Sequence, residues 1–151
     1  MSLDVDVSTE GLRVPIARSR VAAVARAALR AEKVRDALLS ITFLDAKRMA
    51  ALNKRHLGHS GATDVISFAF RRAAPRTDPV IGDIYICPVI ARTHALERGV
   101  SMREELARLV VHGVLHVLGY DHPEGPGEAR ELSPMWRRQE RVLQRVLTSL
   151  P

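Results

Sequence analysis

The apolar stretch at residues 106–118 constrains the fold of this 151-residue chain more than any other feature. It is the longest such stretch, and it falls short of the roughly 20 residues that a membrane-spanning helix needs. His112 and His116 lie within it, and Gly119 follows it at the position where helices commonly end. The pattern predicts a core helix that ends near residue 118 and carries two imidazoles.

The spacing of three histidines predicts a metal site. His112 and His116 are four residues apart, so on a helix their rings lie on one face. Burying both among valines and leucines costs free energy unless each ring has a partner. The chain doubles back after Gly119, so His122 can supply a third nitrogen. Three protein ligands leave one tetrahedral position for water, as in catalytic zinc sites.

We therefore predict one zinc ion per chain, bound by His112, His116 and His122. Nickel, copper and cobalt also accept nitrogen ligands. The expected reacting group is the zinc-bound water, and no catalytic side chain is predicted. Asp121 either orients a ligand imidazole from behind or caps the turn beside His122.

The histidine spacing equals that of the zinc-protease motif H-E-x-x-H-x-x-G-x-x-H. Gly113, however, stands where those proteases have the glutamate that acts as general base. The missing base disfavours a metallopeptidase. A further alternative is a structural zinc, which would need a fourth protein ligand. Cys87, the single cysteine, is the residue to test for that role.

Periodicity predicts one α+β domain that spans residues 1–151, without repeats or a linker. Four alternating or buried apolar runs predict strands at residues 3–7, 38–44, 65–70 and 80–87, the last interrupted at Gly82 and Asp83. Helical spacing predicts helices at residues 15–32, 88–98 and 127–147. It also predicts one helix that ends near residue 56 and one that runs from a cap at Ser101 to residue 118. We expect a mixed sheet of about four strands with packed helices and a zinc-binding helix-turn-loop.

The charge balance favours a polyanionic partner. Lys and Arg number 23 against 17 Asp and Glu, a net charge of +6. Arg71, Arg72 and Arg76 cluster in one loop and are the candidate RNA-binding residues, with solvated surface charge as the alternative. A second basic set lies along one face of the last helix: Arg137, Arg141 and Arg145. Aromatic residues make up 4% of the chain, so sequence-specific base stacking is not indicated.

The N-terminal sequence carries acids where a signal peptide has basic and apolar residues. A single cysteine agrees with a reducing compartment. We therefore expect a cytoplasmic protein that has no membrane partner.

The string VHGVLHVLGYDH, preceded by TDVISFAF and IGDIYICP, resembles the YbeY family of bacterial metal-dependent endoribonucleases and rRNA maturation factors. The likeness spans residues 52–122 and extends to Met135 and Glu140. It implies an α+β fold with bound zinc, and His112, His116 and His122 as the zinc ligands. It also implies cleavage of single-stranded RNA, 16S rRNA 3′ end maturation and ribosome quality control, with the ribosome or its proteins as partners.

One loop departs from the family pattern. The family loop resembles Y-R-G-K-D, and its arginine is proposed to assist catalysis. Leu57 replaces that arginine here, within the string HLGHS. Arg55, His56 and His59 are alternative candidates for its role, but the sequence favours the interpretation of each as a residue of a solvated surface loop.

Two hypotheses about activity follow from the sequence. The first is zinc-dependent RNA cleavage, in which either water or the RNA 2′-OH attacks the phosphorus. The second is a non-catalytic ribosome-assembly factor that binds RNA and whose zinc is structural. A fourth protein ligand would favour the second hypothesis.

Overall fold

The computed structural model describes residues 1–122, 131 and 133–150, and this part contains four strands and five helices. The strands are β1 (Leu3–Ser8), β2 (Ala37–Phe43), β3 (Val65–Phe70) and β4 (Val80–Ile86). The helices are α1 (Arg18–Ala31), α2 (Ala46–Leu57), α3 (Pro88–Arg98), α4 (Met102–Val117) and α5 (Pro134–Ser149). These elements confirm the predicted α+β class and the four-stranded mixed sheet.

The strands form one sheet in the order β1-β2-β4-β3. β1, β2 and β4 run parallel, and β3 pairs antiparallel with β4 at the edge. The predicted interruption of the fourth strand is wrong, because β4 is continuous through Gly82 and Asp83. Gly82 pairs with Leu39 on one side and Ala69 on the other. Asp83 points to the opposite face, where it lines an open groove with Asp4 and Asp6.

One face of the sheet is covered by α1 and α4. The apolar stripe predicted for α1 is buried there, from Val21 to Leu29. α4 is the central helix, and its side chains are buried from Glu105 to Leu115. A smaller cluster on the other face packs Met49 of α2 against Ile66.

α4 lies unusually close to β4 because glycine occupies both contact points. A Cβ on Gly82 would lie 2.6 Å from a Val117 methyl carbon, and one on Gly113 would lie 2.7 Å from Ile84 Cγ2. Gly113 is thus a packing residue at the position where zinc proteases carry their glutamate. Any longer side chain there would meet Ile84.

Two predicted helix boundaries are wrong. α1 begins at Arg18 rather than at Pro15, because Ala17 is still extended and Ile16 is buried just before the helix. α5 begins at Pro134 rather than at residue 127. Ser133 caps it by accepting a hydrogen bond from the Trp136 amide at 3.2 Å, and proline is favoured at the first helical position. Residues 127–130 lie outside the described part.

The packing at Gly113 can be tested by replacing it with alanine. Overpacking a dense core costs about 1–3 kcal/mol, whereas the better helix propensity of alanine returns about 1 kcal/mol. We expect a net loss of free energy of unfolding in urea denaturation, and a smaller loss in an Ile84→Ala background. A more stable Gly113→Ala protein would mean that α4 does not press on β4.

Candidate metal centre

The end of α4 brings the three histidines together. Gly119 follows the helix with a φ of 100°, a left-handed conformation that glycine tolerates. Its amide donates to the His116 carbonyl at 3.0 Å, and the Tyr120 amide donates to the Leu115 carbonyl at 3.0 Å. These bonds reverse the chain so that His122 returns beside the last turn.

The three imidazoles form a nearly equilateral triangle. Their ring centroids are 4.6, 5.2 and 4.9 Å apart, and one nitrogen of each ring lies within 4.8 Å of the other two. Such nitrogens are close enough for one ion to reach all three with small adjustments. His112 is buried, while His116 and His122 are half-buried. One side of the triangle therefore faces solvent.

The side chain of Gln139 forms a hydrogen bond with His112, a contact that the sequence does not predict. His112 Nδ1 lies 2.5 Å from Gln139 Oε1, and Gln139 Nε2 donates to Glu140 Oε2 at 3.0 Å. A carboxylate only accepts, so the Gln139 amide group must face Glu140 and its oxygen must face His112. The proton of His112 is thereby held on Nδ1, which leaves Nε2 available to a metal ion.

A buried ionic cluster fixes Glu140 in turn. Arg108 Nε donates to Glu140 Oε2 at 3.0 Å, and Arg108 Nη1 donates to Glu105 Oε1 at 2.8 Å. Arg108 Nη2 donates to Glu104 Oε2 at 3.0 Å. Burial alone would lower the pKa of Arg108, but its hydrogen bonds with Glu140 and Glu104 outweigh that effect and raise the pKa. Arg108 therefore stays charged and holds α4 and α5 together.

Two opposing effects act on the pKa of Glu105 in the same cluster. Burial raises the pKa of this carboxyl, and the hydrogen bond from Arg108 and the charge of Arg98 offset only part of the rise. Arg98 Nε lies 3.3 Å from Glu105 Oε1. The cluster thus ties α3 to α4 as well.

Asp121 contacts the backbone of a predicted ligand. Its Oδ1 accepts a hydrogen bond from the His122 amide at 2.8 Å, and its side chain is exposed.

Asp64, in the TDV string, is buried, and its Oδ2 lies 2.9 Å from Nδ1 of His94 on α3. Its carbonyl accepts from the Cys87 amide at 2.8 Å, which joins the start of β3 to the end of β4.

Cys87 lies away from the histidines. It is fully buried at the start of α3, three residues beyond Ile84 in β4. That separation is about 10 Å along an extended chain. Within residues 1–122, 131 and 133–150, the metal-binding cluster contains the three histidines and no fourth His, Cys, Asp or Glu.

The segment that departs from the family pattern begins inside α2: Arg55, His56 and Leu57 lie in its last turn rather than in a loop, and only His59 lies beyond the Gly58 cap. Leu57 is 47% exposed, and Arg55 and His59 are also exposed. The His56 ring packs edge-on against Phe68, with the centroids 5.4 Å apart. Phe68 is in register with Asp83, on the sheet face opposite to α4.

The predicted basic residues occupy two surfaces. Arg71, Arg72 and Arg76 lie in the loop between β3 and β4, where Arg72 Nη1 donates to the Pro75 carbonyl at 3.0 Å. This loop leaves the sheet at the end where Val117, in the last turn of α4, meets Gly82. The arginines of α5 are exposed at one-turn intervals: Arg137, Arg141 and Arg145. No helix in the described ranges is both long and apolar enough to cross a membrane.

Comparison with family models matches residues 6–147 to the family described as Endoribonuclease YbeY. The chain belongs to the endoribonuclease YbeY family. A YbeY endoribonuclease of Frankia alni is 42% identical over 134 residues, which cover 82% of this chain and 72% of the relative. That of Thermobifida fusca is 39% identical over 150 residues, which cover 90% of this chain and 96% of the relative. The resemblance read from the sequence is thus confirmed.

A solved structure supports the same fold for this YbeY family member. The solution structure of a protein from Thermotoga maritima matches with a TM-score of 0.59 and 23% identity. The match covers 95% of this chain and 89% of the other.

The role of Gln139 can be tested by metal titration. Replacing Gln139 with leucine removes the acceptor of His112 Nδ1, and loss of such a partner typically costs 10- to 100-fold in metal affinity, about 1.4–2.7 kcal/mol. We expect a weakening of about that size for zinc in competition with a chromogenic chelator. Gln144→Leu, at an exposed position of the same helix, serves as the control. Equal affinity in a folded Gln139→Leu protein would contradict the role.

Proposed function

We propose that this chain is a zinc-dependent endoribonuclease that cleaves single-stranded RNA during rRNA processing. The observation that carries the proposal is the open triangle of His112, His116 and His122 in a member of the endoribonuclease YbeY family. The finer steps that we propose are 16S rRNA 3′ end maturation and ribosome quality control, on or near the ribosome in the cytoplasm. The relatives carry the name endoribonuclease.

The ligand set favours one zinc ion. Three neutral imidazoles suit zinc, and the buried Gln139 fixes which nitrogen of His112 is available. When bound, zinc would polarise a phosphoryl oxygen and lower the pKa of a water molecule. His116 and His122 are half-buried, so the scissile phosphate would approach from their exposed side. Asp121 holds the turn that carries His122.

The loop between β3 and β4 is the proposed contact for RNA next to the scissile bond. Arg71 and Arg76 are exposed there, at the end of the sheet where α4 ends. Arg72 is half-buried in the same loop. Guanidinium groups bind phosphate oxygens bidentately and without regard to base sequence.

Two observations disfavour the alternative functions. The described part of the chain offers three ligands and no fourth, which supports an open rather than a structural zinc site. A peptidase of the H-E-x-x-H type needs a glutamate at residue 113, where this chain has glycine and where a Cβ would lie 2.7 Å from Ile84 Cγ2. RNA cleavage at an open zinc site therefore fits best.

RNA cleavage by the wild type and by His116→Ala tests the proposal. Removing a ligand should lower both zinc content and cleavage, and cleavage should fall by more than the 10- to 100-fold typical of outer-shell changes, that is, by at least about 100-fold. His59→Ala, which removes an exposed histidine outside the triangle, should retain its zinc. A chelator should abolish cleavage by the wild type.

All proteins are purified identically, so a contaminating nuclease would cut equally in every preparation. Equal cutting by His116→Ala would therefore contradict the proposal. Loss of cleavage by this variant with full zinc content would contradict the ligand assignment. Cleavage of peptides but not of RNA would favour the peptidase.

A further inference from the structure

A basic groove lies between α1 and α5. It has a volume of about 530 Å³ and is lined by Arg26, Arg30 and Arg145 above a floor of small and apolar side chains. None of the described residues that line it is acidic. We call this the α1–α5 groove.

The charge of the α1–α5 groove is not neutralised within the described part of the chain. Arg30 and Arg145 are exposed and form no ion pair there with a described carboxylate. Arg141 lies one turn before Arg145 and extends the basic surface. Arg26 is held in place by a hydrogen bond from its Nε to the Leu3 carbonyl at 2.9 Å.

Glu32, the residue that follows the last turn of α1, is already engaged by other groups. Glu32 accepts hydrogen bonds from Arg138 Nε at 2.9 Å and from the Tyr120 hydroxyl at 2.6 Å. These bonds also join α1, α5 and the turn that precedes His122. Arg145 lies seven residues beyond Arg138, about 10 Å along the helix. Ala31 lines the groove and directly precedes Glu32, so this end of the groove adjoins the Tyr120 contact, two residues before His122.

The open face of the sheet has the opposite charge. Its groove is lined by three aspartates, Asp4, Asp6 and Asp83, and by one arginine, Arg26, so acidic groups predominate there and disfavour phosphate. A polyanion that reaches the histidines would therefore lie along the helices rather than across the sheet.

We propose that the α1–α5 groove binds the sugar–phosphate backbone of RNA at a distance from the scissile bond. This inference rests on the proposed function, since it names where the rest of the substrate lies. The arginines supply bidentate, sequence-independent contacts to phosphates. The groove raises the affinity for long RNA and does not take part in the chemistry.

The test removes two groove charges and compares the result with a charge-matched control. The groove variant is Arg30→Gln/Arg145→Gln. The control is Arg13→Gln/Arg92→Gln, which removes two arginines from a mainly apolar groove beside α3. Binding of a fluorescent single-stranded RNA that is long enough to span centre and groove is followed by anisotropy over a series of salt concentrations.

We expect the groove variant alone to lose affinity for RNA, by about 10-fold at low salt. The slope of log K against log salt should become shallower by about 1.4, which corresponds to two lost phosphate contacts on a single strand. Cleavage should show a higher KM for the long RNA with the same kcat, and unchanged cleavage of a trinucleotide.

Equal RNA affinity of the groove variant and the control would overturn the proposal. Loss of binding to phosphatidylserine vesicles with RNA affinity unchanged would overturn it as well, because the groove would then serve a membrane surface. A different result would contradict the proposed function, namely that the wild type cuts no RNA of any length. Binding and cleavage thus separate the two claims.

Discussion

The close contact of α4 with β4 is the constraint on which the metal centre depends. Gly82 and Gly113 remove the side chains that would hold the helix away from Val117 and Ile84. The contact fixes the depth of α4 beneath the sheet, so its last turn emerges at the sheet's end with His116 facing outward. Two glycines therefore determine where the histidines lie.

The ionic cluster around Arg108 positions the residues that contact His112, and forming it costs free energy of folding. Taking Arg108 and Glu105 out of water is expensive, and a buried ion pair is often no more stable than apolar packing. Here the ions hold Glu140, Glu140 orients Gln139, and Gln139 sets the proton of His112. Replacing Arg108 would leave the buried Glu105 with the Arg98 contact and would take the guanidinium from Glu140, which is destabilising. The cluster links the core directly to His112.

The sequence predicts the local features of this protein well and the long-range ones poorly. The spacing of His112 and His116 and the stop at Gly119 are properties of one helix, so they can be read without the fold. The contact of His112 with Gln139 joins residues 27 positions apart and depends on how α5 packs on α4. A signal was nonetheless present: Gln139 is a polar residue on the apolar face of a helix, one turn from Met135. The sequence wrongly predicts an interruption of β4 at Gly82, because a glycine that admits a neighbouring helix cannot be told by sequence from one that interrupts a strand.

The most direct test of the account is the coordination of zinc in the purified protein, measured by metal analysis together with X-ray absorption at the zinc edge. The account predicts one zinc per chain with three imidazole nitrogens and one exchangeable ligand that is not from the protein. A closed shell of four protein ligands, or zinc bound without the three histidines, would contradict it.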